Sequence, residues 1–185
     1  MNVLQSLWLP ILASAVLVFI VSSIIHMALP WHKGDYRKIP NEDQVMDALR
    51  PLNIPRGDYM MPRPDSMKDM KSPEFKAKMQ RGPVFVATFM SGEMAVGKSM
   101  VLWFVYLLVI SYFAAYVGAH AGAFSAVAIH SRRIIGITAF LGYGGALCQA
   151  SIWYQRSWGT TVRSLVDSVI YAAITAGTFA WLWHN

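Results

Sequence analysis

Four long stretches of apolar residues dominate this chain and limit what it can fold into. They are Leu4–Leu29, Lys98–Gly118, Arg133–Tyr154 and Arg163–Trp183. A helix of about twenty mostly uncharged residues matches a hydrocarbon core about 30 Å thick. Because lipid offers no hydrogen bonds to an exposed backbone, such stretches form helices when they cross a membrane. The sequence therefore predicts an all-α integral membrane protein with four transmembrane helices.

These spans divide the chain into three parts. Residues 1–29 are the first transmembrane helix, residues 30–97 a long polar loop, and residues 98–185 a three-helix transmembrane region. No basic residue precedes Leu4, and the first apolar run is too long for a cleavable signal peptide, so we expect this span to be retained. All seven tryptophans lie at or near span ends, where indole rings favour the headgroup level. They support the same boundaries independently.

The basic residues are distributed unevenly about the spans. Charged residues make up 14% of the chain and the formal net charge is +6. Fourteen of the sixteen lysines and arginines lie in or beside the long loop and the short loop 155–162, and only Arg132 and Arg133 lie on the other side. The positive-inside rule then places the long loop in the cytoplasm and both termini outside. Basic residues beside spans meet anionic lipid headgroups, so we expect no nucleic-acid partner.

Short helices are predicted inside the long loop. Asn41, followed by Glu42 and Asp43, is a plausible capped start for a helix that ends before Pro51. Ser72 begins a second helix, which ends before the sequence Gly82-Pro83. The segment Pro51–Asp65 between them is rich in proline and turn residues, and we expect it to be extended. Both helices are too short to be stable alone in water, so we expect them on the bilayer surface or on the helix bundle.

The segment Gly92–Ser99 matches the phosphate-binding pattern GxxxxGK[ST] in full, and the strand-like segment Val84–Met90 precedes it. A nucleotide site of this kind needs a parallel sheet and a soluble helix behind the loop. Here the following helix is a transmembrane span, and no later aspartate sits on an apolar strand to hold magnesium. We therefore expect no nucleotide partner.

The five histidines fall into two groups. His26 and His32 lie toward the loop-side end of the first span, whereas His120, His130 and His184 lie toward the terminus side. The second group is a candidate three-histidine metal site, although no carboxylate is nearby in sequence to orient the rings. The alternative is that all three lie at the headgroup level. His26 and His120 are at opposite ends of their helices and make a poor haem pair. We expect no cofactor.

Asp167 is the only carboxylate inside a predicted span. Buried acids are costly in membranes and are often functional. Arg163 lies four residues earlier on the same helix face, so the spacing predicts a structural ion pair between Arg163 and Asp167. A functional acid at this position is the alternative.

Small residues mark faces where helices can approach closely. The candidate packing residues are Gly118, Gly142, Gly144, Gly145, Ala173 and Gly177. They can serve packing within one bundle or contact with another protein, and the sequence leaves both open.

The chain resembles a group of small, uncharacterised bacterial inner-membrane proteins with four predicted spans. The matching stretches are HMALPWHKGDYRKIP at 26–40, ALRPLNIPRGDYMMP at 48–62, MKSPEFKAKMQRGP at 70–83 and SLVDSVIYAAITAGTFAWLW at 164–183. The resemblance implies a bacterial inner-membrane location and carries no activity and no catalytic residues.

Small size, sparse polar groups in the spans and small-residue faces favour a non-catalytic accessory, assembly or stabilising subunit of a larger inner-membrane complex. Its expected partners are membrane lipids and a larger membrane protein. The alternatives are a small oligomeric transporter or channel, and a lipid-modifying enzyme that uses polar residues beside the first span, such as His32, Asp35 and Arg37.

Overall fold

The computed structural model describes residues 3–90, 92, 95–122 and 128–183, and it is mostly helical, at 74%. The chain forms two compact units. The helical unit comprises Met1–Arg37 and Ala95–Asn185, and the connecting unit comprises Lys38–Met94. Residues 30–37, which the sequence assigned to the loop, therefore belong with the helices.

The elements follow one another in a simple order. The helices are α1 (Val3–Ser23), α2 (Glu42–Leu49), α3 (Met67–Met70), α4 (Pro73–Arg81), α5 (Val96–Gly122), α6 (Ala128–Gly144), α7 (Leu147–Tyr154) and α8 (Trp158–Leu182). The strands are β1 (Gly57–Met61) and β2 (Phe85–Phe89). Shorter helical turns are a π-helical turn at Ile24–Ala28 and 3-10 turns at Pro30–His32 and Arg50–Leu52.

Within the described residues, four helical segments are long and apolar enough to cross a membrane, as the sequence predicted. They are Leu7–Ala28, Val96–Ala121, Arg132–Tyr154 and Trp158–Leu182. The fourth begins at Trp158 rather than at Arg163, so it contains one more turn than expected.

The third segment is interrupted between α6 and α7. The N–H of Gly145 donates to the carbonyl oxygen of Leu141 at 2.9 Å. A Cβ atom on Gly145 would lie 2.6 Å from that same oxygen, so this turn requires a glycine. The predicted packing residue Gly145 thus serves the bend in its own segment.

The core of the helical unit lies among α1, α5, α6 and α8. Its buried apolar residues include Val18, Leu107, Ile135 and Phe179. Hydroxyl groups in the core bond to one another between helices: Ser14 donates to Ser111 at 3.0 Å, and Ser151 and Thr161 lie 2.6 Å apart. The outer faces of the same helices are largely apolar as well. Helices that are apolar on all sides are typical of a membrane bundle.

The connecting unit contains a two-stranded antiparallel sheet, which corrects the all-α prediction. Strand β1 pairs with β2, with Tyr59 opposite Ala87. The hydroxyl of Thr88 donates to the carboxylate of Asp58 at 2.6 Å, and such cross-strand pairs stabilise a hairpin. The sequence indicated extended backbone in both places but not their pairing, because a pairing between distant strands leaves no local signal.

The short helices α2 and α4 form where they were predicted. Ser72 caps α4 by accepting a hydrogen bond from the N–H of Phe75 at 3.1 Å. Asn41 precedes α2 as expected, but it adopts a left-handed conformation and its side chain makes no cap hydrogen bond. The placement of α2 and α4 on the bilayer surface or on the helix bundle stays a prediction.

Candidate functional site

The end of the first span changes its helical geometry. After α1 the chain widens into the π-helical turn, closed by a bond from the N–H of Leu29 to the carbonyl oxygen of Ile24 at 3.1 Å. Pro30 then begins a 3-10 turn, to which proline is suited because it needs no N–H at this position. Local π-helical turns occur often at functional sites. Together the two turns bring Trp31 and His32 against α8.

A cluster of polar side chains, here called the polar cluster, forms where this segment meets α8. Its members are His26, Trp31, His32, Asp35, Arg163 and Asp167. The centre is His32, whose Nε2 lies 2.8 Å from Oδ2 of Asp167 and whose Nδ1 lies 2.7 Å from Oδ2 of Asp35. The imidazole of His32 therefore bridges two carboxylates.

Each carboxylate also has a second partner. Trp31 Nε1 donates to Oδ1 of Asp167 at 3.1 Å. Arg163 donates to Oδ1 of Asp35 through Nε, at 2.8 Å, and through Nη2. The side chain of Asp167 is only 4% exposed, so these bonds replace nearly all of the water that would surround the carboxylate. Buried charges are tolerated when they are paired and hydrogen-bonded in this way.

The polar cluster lowers the pKa of one of its carboxyl groups. His32 lies within hydrogen-bond distance of both carboxylates, one at each of its ring nitrogens. Burial alone would raise the pKa of Asp35, but hydrogen bonds from His32 and Arg163, and the charge of Arg163, outweigh it and lower that pKa.

His26 lies beside this bridge without a hydrogen bond in it. Its ring stacks on the ring of His32, with centroids 4.2 Å apart and planes 20° from parallel. One side-chain ligand atom from each of His26, His32 and Asp167 lies within 4.8 Å of the other two. The three residues therefore form a compact set of nitrogen and oxygen donors.

A cavity of about 620 Å³ adjoins the polar cluster, and His26 and Asp167 form part of its wall. Four aromatic residues in successive ring contact also line it: Trp103, Tyr106, Tyr143 and Tyr171. The hydroxyl of Tyr171 is buried and has no hydrogen-bond partner among the described residues. An unpaired buried hydroxyl costs free energy.

The predicted pairing of Arg163 with Asp167 requires correction. Arg163 is bound to Asp35, whereas Asp167 is bound to His32 and Trp31. The spacing of four residues correctly placed both side chains near one end of α8. The segment after α1 supplies Asp35 as the partner of Arg163, and Trp31 and His32 as the partners of Asp167, so the pair within α8 does not form.

The terminus-side histidines remain a separate group. His120 lies near the end of α5, where its Nδ1 is 2.7 Å from the carbonyl oxygen of Tyr116 and its ring lies against the Tyr116 ring. His184 and the side chain of His130 lie outside the described residues. Of the three candidate ligands, the structure describes only the side chain of His120, which contacts a carbonyl oxygen of its own helix. The three-histidine metal site stays a prediction.

The small residues divide into inward-facing and outward-facing sets. A Cβ atom on Gly142 would lie 2.6 Å from Cδ1 of Ile110, and one on Gly144 would lie 2.9 Å from the side chain of Ser168. Gly118 is also buried. Ala173 and Gly177 are exposed instead, and a Cβ atom on Gly177 would meet no other atom of the described residues within 4 Å. Close packing inside the bundle explains the first set only.

The phosphate-binding pattern lies in a different setting from that of a nucleotide site. The preceding strand β2 is paired antiparallel with β1, and the pattern's last residues lie in α5, one of the four apolar helices. Residues 91, 93 and 94, two of which belong to the pattern, lie outside the described residues.

Sequence reasoning found the members of the polar cluster separately but did not assemble them. It placed His26 and His32 at the loop-side end of the first span, and it named His32 and Asp35 as polar residues beside the membrane. The available signal was their spacing around a proline after the span, in HMALPWHKGD at 26–35.

Comparison with family models, with curated proteins and with solved structures found no match.

Proposed function

We propose that this chain is a multi-pass protein of the bacterial inner membrane and works there as a non-catalytic accessory subunit of a larger membrane complex. The four apolar helices support the membrane setting. The uneven distribution of lysine and arginine supports an orientation with the long loop, residues 30–97, in the cytoplasm and both termini outside.

One observation carries the subunit proposal, namely the outward face of α8. Ala173 and Gly177 lie one turn apart on this face, and exposed apolar side chains flank them at Ile170 and Trp181. The surface at Gly177 is not filled by any described residue of the helical unit, unlike the space at Gly144. Small residues on an exposed helix face let a second helix approach closely, and lipid chains gain less from such a surface.

The paired hydroxyl groups in the core support a packing role over a transport role. Ser14 bonds to Ser111, and Ser151 bonds to Thr161, so these groups satisfy one another between helices. An ion path needs polar groups that remain available to the moving ion. Polar groups that are already paired hold helices together instead.

Purification in mild detergent tests the proposal. The wild-type chain should retain a membrane-protein companion in stoichiometric amount, and Gly177→Leu should release it. Leucine favours a helix over glycine by nearly 1 kcal/mol, so the chain itself should be no less stable. Gly97→Leu is the matched control, because Gly97 is an exposed helical glycine and none of the described residues has an atom within 4 Å of its Cβ position.

Gly144→Leu completes the comparison. It should lower the melting temperature of the chain in detergent, because Ser168 occupies the space that the new side chain needs. A wild-type chain that purifies alone under several gentle conditions would refute the subunit proposal. Equal loss of a companion in Gly177→Leu and Gly97→Leu would also refute it.

A further inference from the structure

We propose that His26, His32 and Asp167 form a binding site for one divalent transition-metal ion of the zinc type. The ligands are one imidazole nitrogen of His26, Nε2 of His32 and Oδ2 of Asp167. Two imidazoles and one carboxylate are a common donor set for zinc in proteins, and they leave a fourth position open. Magnesium and calcium prefer oxygen donors throughout, so the two imidazoles select against them.

The spacing of the donors fits a metal ion after small movements. The three ligand atoms lie within 4.8 Å of one another. Zinc binds nitrogen and oxygen at about 2.0–2.1 Å, so tetrahedral ligands lie about 3.3 Å apart. Nε2 of His32 and Oδ2 of Asp167 are 2.8 Å apart and must separate slightly, while the ring of His26 moves toward them. Because the two imidazole planes lie only 20° from parallel, the ring of His26 would have to turn out of its stack on His32 to direct a nitrogen at the ion.

Groups behind the ligands hold them in the orientation that a metal site needs. Nδ1 of His32 faces the carboxylate of Asp35 at 2.7 Å, and Arg163 in turn holds Asp35. Oδ1 of Asp167 accepts the bond from Trp31, which leaves Oδ2 for the ion. Metal-binding histidines commonly donate their second N–H to a carboxylate, which fixes the tautomer and makes the ligating nitrogen more basic.

The charge of the polar cluster also favours a cation. With His32 neutral, the two carboxylates outnumber the single positive charge of Arg163 by one. A divalent cation held by His32 and Asp167 would offset this negative charge. A cavity of about 620 Å³ adjoins two of the three ligands, His26 and Asp167.

Zinc titration of the purified chain, without a polyhistidine tag and after treatment with a chelator, tests the site. The wild type should bind one Zn²⁺ per chain, and bound Co²⁺ should give the visible spectrum of a four-coordinate ion. His26→Phe removes a ligand but keeps an aromatic ring to stack on His32, so the metal-free fold should be retained. Its zinc affinity should fall at least about tenfold, since even partners behind the ligands contribute about 10–100-fold.

Two further variants make the outcome decisive. Asp35→Asn should weaken zinc binding by about 10–100-fold, because it removes the carboxylate behind His32. His120→Phe is the control and should bind zinc like the wild type, since His120 bonds within its own helix. The proposal is refuted if the wild type binds no zinc saturably, if His26→Phe and the wild type bind it equally, or if only His120→Phe weakens binding.

Discussion

The buried bond between His32 and Asp167 gives the sharpest stability prediction. Asp167→Asn keeps the size of the side chain, and its amide oxygen can still accept the bond from Trp31. It removes the negative charge from a position 2.8 Å from Nε2 of His32, where the aspartate side chain is 4% exposed. A buried hydrogen bond that involves a charged group contributes about 1.5–3 kcal/mol. We expect the variant to lose about 2 kcal/mol, which changes the unfolding equilibrium by a factor of about 30.

Tryptophan fluorescence during denaturation in detergent measures this loss directly. All seven tryptophans belong to the helical unit, so the signal reports unfolding of the part that contains Asp167. Tyr106→Phe is the control, because it removes a 2.6 Å hydrogen bond from a neutral, 40% exposed side chain to the carbonyl oxygen of Gly142. It should cost less than about 1 kcal/mol. An Asp167→Asn chain as stable as the wild type, or a control that loses equally, would show that burial and charge do not determine the contribution of this bond.

Two further predictions concern orientation and the phosphate-binding pattern. In a Cys148→Ala background, an impermeant thiol reagent applied to intact cells should label a cysteine at position 185 but not Ser66→Cys, and the opposite pattern would reverse the proposed orientation. Lys98→Ala should leave folding unchanged and the chain should have no measurable ATP or GTP affinity, because β2 pairs antiparallel and α5 is an apolar span. A nucleotide affinity that this substitution abolishes would contradict the argument from structural context.

The positions of the four long helices could be predicted because they depend on local hydrophobicity. A run of about twenty apolar residues can be recognised from that segment alone, without knowledge of the rest of the chain. The caps of α4 are local in the same sense, since Ser72 and Phe75 are three residues apart. The hairpin could be predicted only in part. Each strand has a local sequence pattern, but the pairing of Tyr59 with Ala87 has none.

The polar cluster could not be predicted because it depends on a change of helical geometry and on distant contacts. The π-helical turn rotates the side chains that follow it about the helix axis, away from the positions that a regular α-helix would give them. A sequence pattern with a period of 3.6 residues does not reveal such a turn. His32 and Asp167 are 135 positions apart in sequence. The local expectation of an Arg163–Asp167 pair was reasonable for an isolated helix and was replaced once α1 and α8 lay side by side.

The two faces of α8 connect the proposed function with the proposed metal site and also allow them to be separated. Asp167 and Tyr171 are buried on the inner face, whereas Ala173 and Gly177 are exposed on the outer face. Because the outer-face substitution contacts none of the three metal ligands, Gly177→Leu should keep the zinc affinity of the wild type even when it releases the companion protein. His26→Phe should conversely keep the companion while it loses zinc. If one substitution abolished both properties, the site and the packing face would be coupled through α8, and the assumption that they act independently would be wrong.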